Sequence, residues 1–147
     1  MKLNTERAFD SLTEANEILR SLNIIPTLSS GTLLGYYREG EIIENDNDVD
    51  IWIRDQDYSI DIIEKFLLLD WTLVKNASFN GKDREISIRK KRSGIILDIF
   101  VAEEENKDGE DFIFETAWKR TWLLPDHTVI WDASRFYFKK YDVKEIE

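Results

Sequence analysis

The segment of this chain best equipped for chemistry is Asp46-Asn47-Asp48-Val49-Asp50. In an extended strand, residues two apart share a face, so Asp48 and Asp50 project side by side. Two neighbouring carboxylates repel one another unless a cation sits between them. A divalent ion would relieve that repulsion, whereas a solvated acidic turn would carry the same residues with no ligand. Asp98 bears on the choice. It lies within Ile95-Ile96-Leu97-Asp98-Ile99-Phe100-Val101, a run apolar on both faces, as inner strands are. An ionised carboxylate left alone there is strongly disfavoured. Asp98 is therefore protonated, paired with a base such as Arg38 or Arg89, or bound to metal. Asp48, Asp50 and Asp98 together have the make-up of a three-carboxylate metal site.

Composition limits what such a site could hold. The chain has no cysteine and a single histidine, His127. Thiolate sites, cysteine nucleophiles and multi-histidine sites are excluded within one chain. Carboxylate ligands select hard ions, which points to Mg²⁺ or Mn²⁺. A second feature lies upstream, in Ser29-Ser30-Gly31-Thr32-Leu33-Leu34-Gly35. Gly31 permits close backbone approach, and Ser30 and Thr32 set hydroxyls beside a helix start. Free N–H groups at such a start bind phosphate readily. Plain helix capping is the alternative use of the same residues.

These residues need a scaffold. The 147 residues suit one domain, taken as 1–147. A hydrophobic share of 42% is enough for a packed core and argues against wholesale disorder. The net charge is −10, from 20 basic and 30 acidic residues. Such a chain repels polyanions, and its best basic patch, Arg89-Lys90-Lys91-Arg92, is short. No nucleic-acid partner is expected, and Lys90, Lys91 and Arg92 are expected to solvate a hairpin end. No stretch approaches the ~18 apolar residues of a membrane span, and the N-terminus lacks the apolar core of a signal peptide. A cytoplasmic protein is the expectation.

Hydrophobic spacing outlines the elements. Ala8, Leu12, Ala15, Leu19 and Leu22 predict an amphipathic helix over Thr5–Leu22, with Thr5 as its N-cap and Asn23 in its C-terminal turn. Pro26 makes Ile24–Leu28 an edge strand or a strand entry. Thr32–Arg38 reads as a short helix. Asp48–Arg54 alternates strictly, with Val49, Ile51 and Ile53 on one face and Asp48, Asp50 and Trp52 on the other. Trp52 reads better as a core aromatic than as a base-stacking platform. Ser59–Leu69 predicts a second helix and Trp71–Lys75 a strand. Glu85–Arg89 and Ile95–Val101 predict an antiparallel hairpin about Arg92-Ser93-Gly94. Glu103–Asp111 reads as a charged, exposed loop. Phe112–Phe114 and Val129–Trp131 read as strands, and Ala133–Tyr141 as a closing helix. This mixture predicts an α+β fold, a mixed α/β sandwich.

Ser30-Gly31-Thr32-Leu33-Leu34-Gly35-Tyr36-Tyr37-Arg38-Glu39-Gly40, then Ile42-Ile43 and Asp46-Asn47-Asp48-Val49-Asp50-Ile51, resemble the LicD family of phosphocholine transferases and fukutin-type proteins. Leu97-Asp98-Ile99-Phe100 looks like that family's later apolar-Asp-apolar strand. The resemblance implies a nucleotidyltransferase-like fold with a partly antiparallel sheet flanked by helices. It implies transfer of a phosphorylated alcohol, such as phosphocholine or ribitol phosphate, from a CDP-activated donor to a glycan or glycolipid acceptor. On this likeness Asp48 and Asp50 match the metal-binding pair and Asp98 the third acid. Gly31 and Thr32 match the donor-phosphate loop, with Arg38 the basic residue after it. Asp98 is also the candidate general base where no metal engages it. Two other readings use the same scaffold: nucleotidyl transfer from an NTP to a small molecule or protein, and a non-catalytic binding module.

Overall fold

The structure is a computed structural model and describes residues 2–29, 48–123 and 129–139. The expected α+β architecture is present, with two α-helices and seven strands among the described residues. Helix α1 spans Lys2–Ser21. Of the predicted stripe it buries Ala8, Ala15 and Leu19, with Leu12 and Leu22 partly buried against the core, and it buries Ile18 as well. It begins ahead of Thr5, so Thr5 lies inside the helix and is not its N-cap. Its end is set by Asn23, which takes a left-handed φ of 62°. The amide of Ile24 donates to Leu19 O and that of Asn23 to Arg20 O, both at 3.0 Å. This paired closure satisfies two terminal carbonyls and brings Ile24 onto Leu19.

Strand β1, Thr27–Leu28, is a short antiparallel edge against β2, Asp48–Arg54. A 3₁₀ turn, Asp55–Asp57, leads to helix α2, Ile60–Leu68. Strands β3, Trp71–Phe79, and β4, Lys82–Lys90, form a hairpin. Its turn is Asn80-Gly81, with φ of 54° and 78°, the pair of left-handed residues that two-residue hairpin loops require. Strand β5 spans Ile96–Lys107. It runs antiparallel to β4, as the hairpin reading expects, and parallel to β2. The resulting order is β1-β2-β5-β4-β3, so β5 is an inner strand.

One face of the sheet carries Val49, Ile51, Ile53, Ile86, Ile88, Leu97, Ile99 and Val101, all buried against α1 and α2. Phe66 of α2 meets Trp71 edge-on, with ring centroids 5.3 Å apart. Trp71 Nε1 donates to Glu14 of α1 at 3.2 Å, and Lys90 Nζ reaches the same Glu14 oxygen at 2.6 Å. The opposite face carries the odd-numbered residues of β4 and the even-numbered ones of β2 and β5, including the acids. There Trp52 is buried with Ala102, Ile113 and the partly buried Phe100, in its expected core role.

Two expectations fail in the second half. Glu103–Asp111 is a strand hairpin, not a loop. Strand β5 continues to Lys107, Asp108-Gly109 turns with φ of 53° and 81°, and strand β6 begins at Glu110. Two of its acids pair with neighbouring strands, Glu104 with Arg54 of β2 and Glu103 with Arg84 of β4. Strand β6, Glu110–Leu123, then pairs with strand β7, Val129–Lys139. The predicted closing helix is thus mostly β7. Its residues Arg135-Phe136-Tyr137-Phe138-Lys139 alternate as well as they cycle, and β6 supplies a hydrogen-bonding partner that a helix there would forgo. Thr32–Arg38, the short predicted helix, lies outside the described residues.

Candidate active site

The parallel pairing of β2 with β5 sets Asp50 opposite Asp98, and Asp48 opposite Ile96. Residues in register on neighbouring strands share a face about 5 Å apart. Asp50 and Asp98 therefore form a facing pair of carboxylates, with Asp48 two residues along on the same side. All three residues are half-buried. On its other flank Asp98 is in register with Ser87 of β4, whose hydroxyl donates a short hydrogen bond to Asp98 Oδ1. Ser87 is buried, so the bond orients the carboxylate from inside the sheet. The sequence offers Arg38 or Arg89 as a partner for Asp98. Arg89 is exposed, Arg38 lies outside the described residues, and the partner at hand is a hydroxyl.

Among the described residues, no three His, Asp or Glu side chains form a set that could hold a metal ion by themselves. Ser30, Gly31 and Thr32, the candidate phosphate loop, lie outside the described residues, as does His127. Ser29, at the end of β1, donates its amide to Asp50 O at 3.0 Å. Its hydroxyl lies 3.0 Å from both carboxylate oxygens of Glu115. Ser29 and Glu115 are both buried. Burial raises the Glu115 carboxyl from 4.5 to about 7; the Ser29 hydroxyl works against the rise and the charge of Glu85 adds to it. Glu85 is buried as well and paired with Lys75.

Glu115 escapes a reading that ends the strand at Phe114. The signal was available in Phe112-Ile113-Phe114-Glu115-Thr116, a single acid in an apolar, β-prone run, the same signal that singles out Asp98. Farther from the acids, Arg84 is buried between Asp55 at 2.7 Å and Glu103 at 3.2 Å. Tyr58 donates to Asp83 at 2.6 Å. That bond is the largest influence holding the Asp83 carboxyl below its usual value. Burial first, and then Asp83, push the Tyr58 phenol upward. Both groups brace the junction of the 3₁₀ turn with β4. Lys91 and Arg92 are exposed at the β4–β5 turn, as expected of a solvated hairpin end, whereas Lys90 departs from that expectation and is held by Glu14 and the Leu69 carbonyl.

The family description LicD/FKTN/FKRP, nucleotidyltransferase domain, matches residues 23–146. The chain belongs to this family. The LicD match runs from the end of α1 through the acidic strand and the last hairpin. Ribitol-5-phosphate transferase FKTN of Mus musculus is 34% identical over 132 residues, covering 86% of this chain and 28% of the relative. The Homo sapiens protein of the same name is 33% identical over 130 residues, covering 84% and 27%. Uncharacterized protein RP689 of Rickettsia prowazekii (strain Madrid E) is 30% identical over 141 residues, covering 95% and 47%. The chain thus spans about a quarter of the FKTN proteins' length and about half of the Rickettsia protein's. Among the described residues of this LicD-family chain, no helix is long and apolar enough to cross a membrane.

Proposed function

We propose that the chain is a transferase domain that moves a phosphorylated alcohol from a CDP-activated donor to a glycan or glycolipid, with Mg²⁺ or Mn²⁺ held at Asp48, Asp50 and Asp98. The observation that carries this reading is the register of Asp50 opposite Asp98 on the polar face of an otherwise apolar sheet centre. Membership of the LicD family and the name of the FKTN relatives support the phospho-alcohol class. The donor set suits a hard ion, since only carboxylate oxygens are on offer and the chain lacks cysteine. Mg²⁺ commonly takes one or two protein carboxylates and completes its shell with substrate phosphate and water. A facing pair, with Asp48 beside it, is therefore an adequate protein contribution. A bound ion would neutralise charge on the donor phosphates.

The residues of the chain then have distinct tasks. Ser87 holds Asp98 in one orientation through Oδ1. Gly31, with the hydroxyls of Ser30 and Thr32, would take donor phosphate oxygens, and Arg38 would balance charge on the departing CMP. Transfer at phosphorus asks little covalent chemistry of a protein, so positioning and charge are the main contributions. The test is product analysis with labelled donors and Mn²⁺. CMP released from a CDP-alcohol supports the proposal; pyrophosphate released from an NTP would replace it with nucleotidyl transfer. Asp50→Asn and Asp98→Asn are each expected to lower turnover at least ~100-fold, as loss of key electrostatic groups does. If neither donor turns over and neither Mn²⁺ nor CDP binds by calorimetry, the catalytic reading falls and a binding module remains.

A further inference from the structure

Ser29 is held twice, once by its main chain and once by its side chain. Its amide donates to Asp50 O at 3.0 Å, which seals the end of β1 onto the acidic strand. Its hydroxyl meets both oxygens of Glu115 at 3.0 Å. Thr27 and Leu28 are the whole of β1, so two ladder positions and this one amide join it to β2. Such a short edge strand frays readily. Glu115 comes from β6, a strand 86 residues further along the chain. Its carboxylate is buried beside the ion-paired Glu85, an expensive position for an acid that merely fills space. A Leu or Met would pack there without that cost. What the acid supplies is a pair of oxygens, each 3.0 Å from one hydroxyl next to Asp50.

We propose that Glu115 is a positioning residue: through Ser29 it clamps the end of β1 to the main chain of Asp50 and so sets the place of the acidic strand relative to β1 and β6. The functional part of this inference rests on the proposed donor site; the clamp itself does not. Glu115→Gln preserves the clamp, because its amide oxygen accepts from the Ser29 hydroxyl and its NH₂ donates back. Glu115→Ala and Ser29→Ala break it from opposite sides.

Amide exchange followed by NMR reads the clamp directly. In Glu115→Ala and Ser29→Ala, the amide of residue 29 is expected to exchange about tenfold faster, the worth of one net hydrogen bond. Ile86 and Ile99 in the β4–β5 ladder serve as controls and should keep their rates relative to wild type. In Glu115→Gln the Ser29 amide should stay within about twofold of wild type. CDP titrated with Mn²⁺ is the second readout, with about tenfold weaker binding expected in the two alanine variants and recovery in Glu115→Gln. Uniform acceleration of Ser29, Ile86 and Ile99 together would mean a general packing role and overturns the clamp. An unchanged Ser29 amide in Glu115→Ala overturns it too. A Ser29 amide that responds in a protein that binds no CDP upholds the clamp and sinks the donor reading instead.

Discussion

Glu115→Gln also provides a quantitative test of the electrostatics, because it removes a titrating group while keeping its shape. Burial first, and the charge of Glu85 in addition, raise this carboxyl from 4.5 to about 7 in the folded chain. In the unfolded chain it returns to its ordinary value. Below pH 4.5 both states hold the proton, and the group's contribution to stability is complete. As pH rises from 4.5 to 7, the unfolded state releases its proton while the folded state keeps it, and stability is lost. Roughly a unit above 7 both states are ionised and the loss is complete. Each pH unit between the two values is worth about 1.4 kcal/mol, so the total is about 3 kcal/mol. Gln titrates nowhere in this range. The difference in unfolding free energy, Glu115→Gln minus wild type, should therefore grow by about 3 kcal/mol between pH 4.5 and pH 8. Urea unfolding of both proteins at half-unit pH intervals measures it. For a chain of this size, melting temperatures should diverge by about 6–12 °C over the same range. A difference that stays flat from pH 4.5 to 8 would refute the reasoning, because a carboxyl with an ordinary pKa has finished titrating before most of that range begins.

Two further outcomes follow from the packing. Arg84 is buried between Asp55 and Glu103, so Arg84→Met should cost about 3 kcal/mol in urea unfolding, the low end for a buried ion pair because both acids are partly exposed and can rehydrate. At Asn23, where φ is 62°, Asn23→Ala should lower stability by about 1 kcal/mol and Asn23→Gly should not, since only Ala meets the left-handed penalty.

The elements with a strong local period were legible from residue order. The stripe of α1, the alternation of Asp48–Arg54 and the β4–β5 hairpin all stand where the pattern puts them. The reason is that each buries one face, and burial imposes its own period on the chain. The second half read less well because its cues conflict. Glu103–Asp111 has loop-like charge yet forms a ribbon, because β5 and β6 pair their main chains in register while none of those charged side chains is buried. Arg135–Lys139 carries aromatics that suit a helix or a strand, and only the presence of β6 as a partner decides between them.

The candidate site divides in the same way. Asp48 and Asp50 share a face because of strand geometry, a property local to five residues, and Asp98 stands out because an acid in an apolar run is costly. Those facts belong to the sequence. That β2 and β5 are parallel neighbours with Asp50 opposite Asp98 does not, because strand order and register depend on contacts between segments some fifty residues apart. Ser87 on Asp98 and Glu115 on Ser29 are of that kind as well. A hydroxyl and a carboxylate become partners only after the sheet has placed them within reach, and no local pattern encodes a distance between strands.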